Sequence, residues 1–235
     1  MTSDFDHPSR RSFVSRVGRF ASVAALAAWV NPRRTEMLAQ SNTPRPASGS
    51  DWDLSWVDRL ANATDRAVFD WPSIGDPDDG IVPAIAARYL DNCAAAYGPS
   101  RYDARVVLNV RTQAVPVALN DAAWERYALG TEYSVKDPVS KQPAVRNPFW
   151  HRNPDPRNAM LSPTLEELVG RGAIILVCDF ALGHLAKRLA TKAGRDAESV
   201  HRDLRGAFVP ASFAVPSGIF GLAKSQNAGC AFVRM

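Results

Sequence analysis

Three cysteines, Cys93, Cys178 and Cys230, are the residues best suited to covalent chemistry in this sequence. An odd number, far short of a disulfide framework, leaves at least one thiol free, buried or used. A disulfide between any two of them stays open. Cys178 closes the apolar run Ala173-Ile174-Ile175-Leu176-Val177 and stands just before a helical pattern. A cysteine between a buried strand and a helix meets backbone N–H groups that favour thiolate. Asp179 works against this, because an adjacent negative charge disfavours a second one. The plainer alternative is a buried small hydrophobe, a common fate of cysteine. Cys93 lies beside Ala94-Ala95-Ala96 and Cys230 starts the last β-rich run, so both are expected in the core.

Other chemistry-bearing residues are scattered. His151, His184 and His201 fall in separate segments without zinc-type spacing. His184 follows Cys178 at a distance that a turn and a half of helix would bring near it. Asp76, Asp78 and Asp79 sit in an Asp-Pro-Asp-Asp-Gly stretch that reads as turn chemistry and lacks calcium-loop spacing. No metal site is expected. The chain has neither a G-x-G-x-x-G nor a Walker pattern, and Pro216-Ser217-Gly218 lacks the first glycine of a nucleophile elbow. No cofactor is expected either.

The elements that would position these residues alternate. Short β-rich runs lie near 67–69, 105–110, 173–178, 211–215 and 230–234. Helical patterns are read over 82–97, 115–127, 180–193, 197–205 and 217–228, with a further helix opened by Ser162-Pro163. Trp52 and Trp56, four apart, look like one face docking onto the domain. The segment 130–160 is a long loop without clear periodicity. This alternation predicts an α/β fold: three layers, α/β/α, with a mainly parallel five-stranded sheet in a flavodoxin-like arrangement. Ligands of such sheets bind at the carboxyl ends of the strands. Four junctions define that edge: 73–80, Arg111-Thr112-Gln113, Cys178-Asp179 and Pro216-Ser217-Gly218. Arg111 and Ser217 are therefore candidate binding residues beside Cys178.

Charge and export signal are linked. The sequence pI of about 9.1 would fit a nucleic-acid binder. Residues 1–39 hold six Arg against three acids, leaving 22 basic against 21 acidic residues in the rest. A nearly neutral remainder has no electrostatic footprint for nucleic acid, and none is expected as a partner. Ser9-Arg10-Arg11-Ser12-Phe13-Val14 follows the twin-arginine pattern, with Arg10, Arg11 and Phe13 as its signal residues. The Ala-rich stretch 20–30 is too short to span a bilayer and suits a signal-peptide core. The expected organisation is a signal peptide over 1–39, with cleavage after Ala39. A disordered linker over 40–50 and one domain over 51–235 follow. The expected destination is the periplasm by way of the twin-arginine (Tat) translocase. The membrane is touched only if the signal stays uncleaved.

The C-terminal third carries a resemblance. Gly172-Ala-Ile-Ile-Leu-Val-Cys178, Val215-Pro-Ser-Gly-Ile219 and Gln226-Asn-Ala-Gly-Cys-Ala-Phe232 resemble the DsrE/DsrF-like sulfur-relay family. The chain is more narrowly similar to Tat-exported DsrE-like proteins of undefined function. The likeness covers about 170–235, with 65–127 compatible in fold. It implies a three-layer domain, a homo-oligomer of trimer or hexamer type, and Cys178 as the sulfur-accepting position. This sequence departs from the family at Asp179 and in the added segment 130–159. Three functional classes follow: a sulfur (persulfide) carrier using Cys178, with Arg111 steadying an anionic donor; a non-enzymatic periplasmic binding or assembly module; and a redox-cofactor protein, which the absent nucleotide motifs disfavour.

Overall fold

The structure is a computed structural model that describes residues 52–75, 81–98, 103–151 and 163–235. The expected signal peptide, the linker and the Asp76–Asp79 turn lie outside the described residues. Five strands, β1 (Asp65–Trp71), β2 (Ala104–Val110), β3 (Ile174–Cys178), β4 (Ser212–Val215) and β5 (Ala231–Arg234), form one sheet in the order β4-β3-β2-β1-β5. Every pairing is parallel. The fold class read from the sequence is thus the observed one. Within that class the strand order differs from flavodoxin's 2-1-3-4-5.

Topology dictates the layers. From β1 to β4 each crossover steps the same way, so right-handed connections place the intervening helices on one face. These are α2 (Ile81–Tyr97), a 3₁₀ helix (Thr112–Ala118), α3 (Asp121–Arg126), α4 (Leu129–Glu132), α5 (Leu165–Gly170), α6 (Asp179–Ala193) and α7 (Ala197–Arg205). The return from β4 to β5 runs the opposite way and puts α8 (Gly218–Asn227) on the other face. There it joins α1 (Ser55–Ala61), the helix before β1. Strand residues divide by parity, as a period of two requires. Phe69, Leu108, Ile175 and Val177 face the larger layer. Val68, Val107, Ile174, Leu176 and Val215 meet Trp56, Leu60 and Phe220 beneath α1 and α8. Trp56 is buried and serves the docking role expected of it, while Trp52 lies under the Arg205 guanidinium, 5.1 Å from its carbon.

Several expectations are corrected. The helix expected over 115–127 is two pieces: Pro116 lies inside the 3₁₀ helix, and Asn120 caps α3 by accepting the Ala123 N–H. The helix expected to open at Ser162-Pro163 starts later, where Thr164 and Glu167 form a capping box. The described part of the expected loop, residues 130–151, is more ordered than its composition implies. Gly130 sits so close to Ala144 that a Cβ would lie 2.1 Å from the Ala144 carbonyl oxygen. Buried Asn147 donates to the Val117 and Leu119 carbonyls at 2.8 and 2.6 Å, and Phe149 packs edge-on to Trp71. Residues 152–160 of that segment lie outside the described residues. Among the described residues no helix is long and apolar enough to cross a membrane.

Candidate functional site

The direction of crossover reverses between β3 and β4. After β3 the chain enters α6 on one face; after β4 it enters α8 on the other. Such a reversal opens a crevice at the carboxyl ends of the two strands. Cys178 pairs with Val215 at this point, and Ser217 follows two residues later. Each of the two is a helix cap. Ser217 Oγ accepts the Phe220 N–H at 3.1 Å. Cys178 Sγ accepts the Ala181 N–H at 3.4 Å at the start of a 15-residue helix. A sulfur in that position sits at the positive end of the helix dipole, which stabilises negative charge on it.

The three thiols are free, and the structure separates them. Cys93 belongs to the apolar cluster beneath α2 and Cys230 to the one beneath α8, whereas Cys178 belongs to neither. Burial pushes the Cys93 thiol up from its ordinary value and the Cys230 thiol up to about 11, the nearby Arg66 only partly offsetting the latter. Cys178 is itself only 5% exposed. Cys93 and Cys230 are 8% and 6% exposed, so exposure does not set Cys178 apart, and a reagent must reach it through local opening of this edge.

A polar strip runs beside the thiol on the α8 face. By parity it comprises Asp70 on β1, Asn109 on β2 and Cys178 on β3. Asp70 pairs with Asn109 in the ladder and accepts its Nδ2 at 3.3 Å. Arg111, just past β2, closes on Asp70 with two charge-assisted bonds, Nε to Oδ1 at 2.7 Å and Nη2 to Oδ2 at 2.6 Å. Asp70 is 5% exposed, so these partners supply the hydrogen bonds that water cannot. The Asp70 hydrogen bonds hold Arg111 above its ordinary range against the cost of burial, with a smaller contribution from the Asp70 charge. Two glycines clear the space. A Cβ on Gly218 would lie 2.7 Å from Arg111 Cβ, and one on Gly221 would lie 2.5 Å from Asn109 Oδ1. Among the described residues that Oδ1 is buried without a hydrogen-bond partner.

Arg111, Cys178 and Ser217 are thus brought to one edge, as expected. Arg111 is committed to Asp70 but keeps its Nη1 donors and one on Nη2. Ser217 is committed as a cap. His184 packs edge-on against Phe180, with ring centres 4.7 Å apart, on the exposed side of α6. On that side a cleft of about 250 Å³ is lined by Thr112, Gln113, Tyr133, Phe180, His184 and Arg188; Ala181, whose N–H meets the thiol, also lines it, but Cys178 does not. Thr112 is held at φ +48°, a conformation that costs a β-branched residue strain. A second hollow, about 330 Å³, lies at the far end of α6 beside Leu189 and Lys192. Among the described residues no group of three His, Cys, Asp or Glu side chains is placed to hold a metal.

Sequence reasoning missed Asp70 and Asn109, and named His201 without its pairing to Asp179. His201 Nε2 and Arg205 Nε reach Asp179 Oδ1 at 3.0 and 3.4 Å. The signal for the first two was present: single polar residues at core-facing parity inside apolar runs.

No family model matches the sequence, and no curated protein matches it. Among solved structures, the chain is similar to a protein of unknown function, MTH1491 from Methanobacterium thermoautotrophicum. They share 15% identity over 73% of this chain and 99% of that one, with a TM-score of 0.35.

Proposed function

We propose that the chain is a sulfur-handling protein of DsrE-like type that carries sulfane sulfur as a persulfide on Cys178. The observation that carries this reading is the position of the thiol. It caps α6 at the crossover reversal, with a guanidinium nearby, while the other two thiols are packed into apolar clusters. The step balances without an external oxidant. Cys178 thiolate attacks the outer sulfur of a persulfide or polysulfide donor; a new S–S bond forms and the donor's S–S bond breaks. The donor's inner sulfur leaves as thiolate with the electron pair. The Ala181 N–H and the remaining Arg111 donors suit an anionic sulfur at this edge.

Export through the twin-arginine translocase belongs to the same proposal and rests on Arg10, Arg11 and Phe13. So does assembly into a homo-oligomer, which rests on the family likeness. A second reading is a periplasmic binding or assembly module. It is favoured by Phe180 and Ile219, large apolar side chains that are 69% and 78% exposed on the first turns of α6 and α8.

The test is to treat the folded protein with inorganic polysulfide and weigh each cysteine-containing peptide. Sulfur added at Cys178 and lost in Cys178→Ser supports the carrier. Sulfur confined to Cys93 or Cys230, or none in the folded protein, leaves the binding module.

A further inference from the structure

Asp179 is the one acid adjacent in sequence to Cys178, and it occupies the first position of α6. A carboxylate there has two places to go. It can turn onto the free amides of its own first turn, where the helix dipole attracts it. In that position it would compete with Cys178 Sγ for the Ala181 N–H and bring a full negative charge beside the thiol. The alternative is to turn outward to α7, which is what the structure contains. Asp179 Oδ1 receives His201 Nε2 at 3.0 Å and Arg205 Nε at 3.4 Å, and its side chain is 17% exposed.

The clamp is built into α7. His201 and Arg205 are four apart, so both project from one face. Arg205 lies in the last turn of that helix, where its dipole favours cations. Arg205 is fixed on its other side by stacking over Trp52 at 5.1 Å. Asp203, the neighbouring acid, is engaged elsewhere, with Arg195, Arg126 and the Tyr127 hydroxyl. Nε2 of His201 donates in the charged form and in one neutral tautomer, so the contact does not require imidazolium.

We propose that His201 and Arg205 are positioning residues for Cys178: they hold the Asp179 carboxylate against α7 and so leave the α6 amides to the sulfur. This rests on the reading of Cys178 as a reactive thiol. It removes the objection that Asp179 raises in the sequence.

The experiment measures iodoacetamide alkylation of Cys178 in the full chain across pH 6–10, read by peptide mass, a readout that involves no sulfur donor. Releasing the carboxylate in His201→Ala/Arg205→Gln should move the rate–pH curve up by about one unit, roughly tenfold in rate near neutral pH. Adding Asp179→Asn to that variant should restore the wild-type rate to within about twofold, because nothing is left to misplace. His201→Gln alone, which keeps a donor, should stay near wild type. Circular dichroism of each variant confirms folding. A slow rate that persists with Asp179→Asn, or no shift on release, overturns the proposal. So does a wild-type rate–pH curve whose midpoint lies no lower than that of a cysteine in the unfolded chain. Release and rescue obtained without persulfide formation at Cys178 would support the clamp while removing the sulfur reading.

Discussion

Arg111 grips Asp70 across two adjacent strand ends, with Nε and Nη2 each on a separate carboxylate oxygen at 2.7 and 2.6 Å. The two partners are not equally buried: the Asp70 side chain is 8% exposed and that of Arg111 31%. Their removal should therefore cost differently. Arg111→Gln strands a buried carboxylate and should cost about 3 kcal/mol. Asp70→Asn leaves a guanidinium that can turn to water and should cost about 1 kcal/mol. Urea unfolding of both variants checks the order; equal costs would contradict it.

The approach of α8 to the strip depends on glycine. Gly221→Ala puts a methyl 2.5 Å from Asn109 Oδ1, so α8 must lift or Asn109 must leave Asp70. The expected loss is about 1–3 kcal/mol. Gly183, inside α6, has no atom within 4 Å of an added Cβ. Gly183→Ala should stabilise by about 0.5–1 kcal/mol through helix propensity alone. Thermal unfolding of the pair separates close approach from conformational freedom.

The buried Cys230 thiol supplies a pH dependence of definite sign. Burial raises it from 9.0 to about 11, so folding favours its neutral form. That contribution is complete below the unfolded thiol's value and is lost as pH rises through about 11. Urea midpoints of wild type should fall between pH 9 and 11 more steeply than those of Cys230→Ala. Parallel profiles would show that the thiol does not ionise differently in the folded chain.

Much of this arrangement was legible in the residues themselves. The continuous apolar run ending at Cys178 and the Ser217 cap followed by Gly229 mark their elements to within a residue or so. The edge on which Arg111, Cys178 and Ser217 meet follows from strand–helix alternation and crossover handedness. Long-range terms were less legible. Asp70 and Asn109 stand out as polar residues inside apolar runs, but what they bond to emerges only once the strands are paired, because their partners lie on other strands. The 3₁₀ turn at Pro116 is held by Trp124, whose Nε1 donates to the Pro116 carbonyl at 2.9 Å, a contact no local propensity encodes. Likewise, the 130–151 stretch is ordered by Gly130, Asn147 and Phe149 contacting distant backbone and rings.

The export proposal is tested apart from the fold. Changing Arg10 and Arg11 both to Lys should leave the precursor in the cytoplasm, because twin-arginine recognition requires the guanidinium pair. Fractionation that recovers the Lys-Lys protein from the periplasm at the normal level would remove it.

The central claim is that Cys178 is where sulfur is held. The most direct measurement loads the folded protein with polysulfide, removes the excess by gel filtration, and quantifies sulfide released by dithiothreitol. The account predicts about one sulfide per chain for wild type and for Cys93→Ser/Cys230→Ser, and none for Cys178→Ser. Sulfide retained by Cys178→Ser, or lost from the double variant that keeps Cys178, would contradict it.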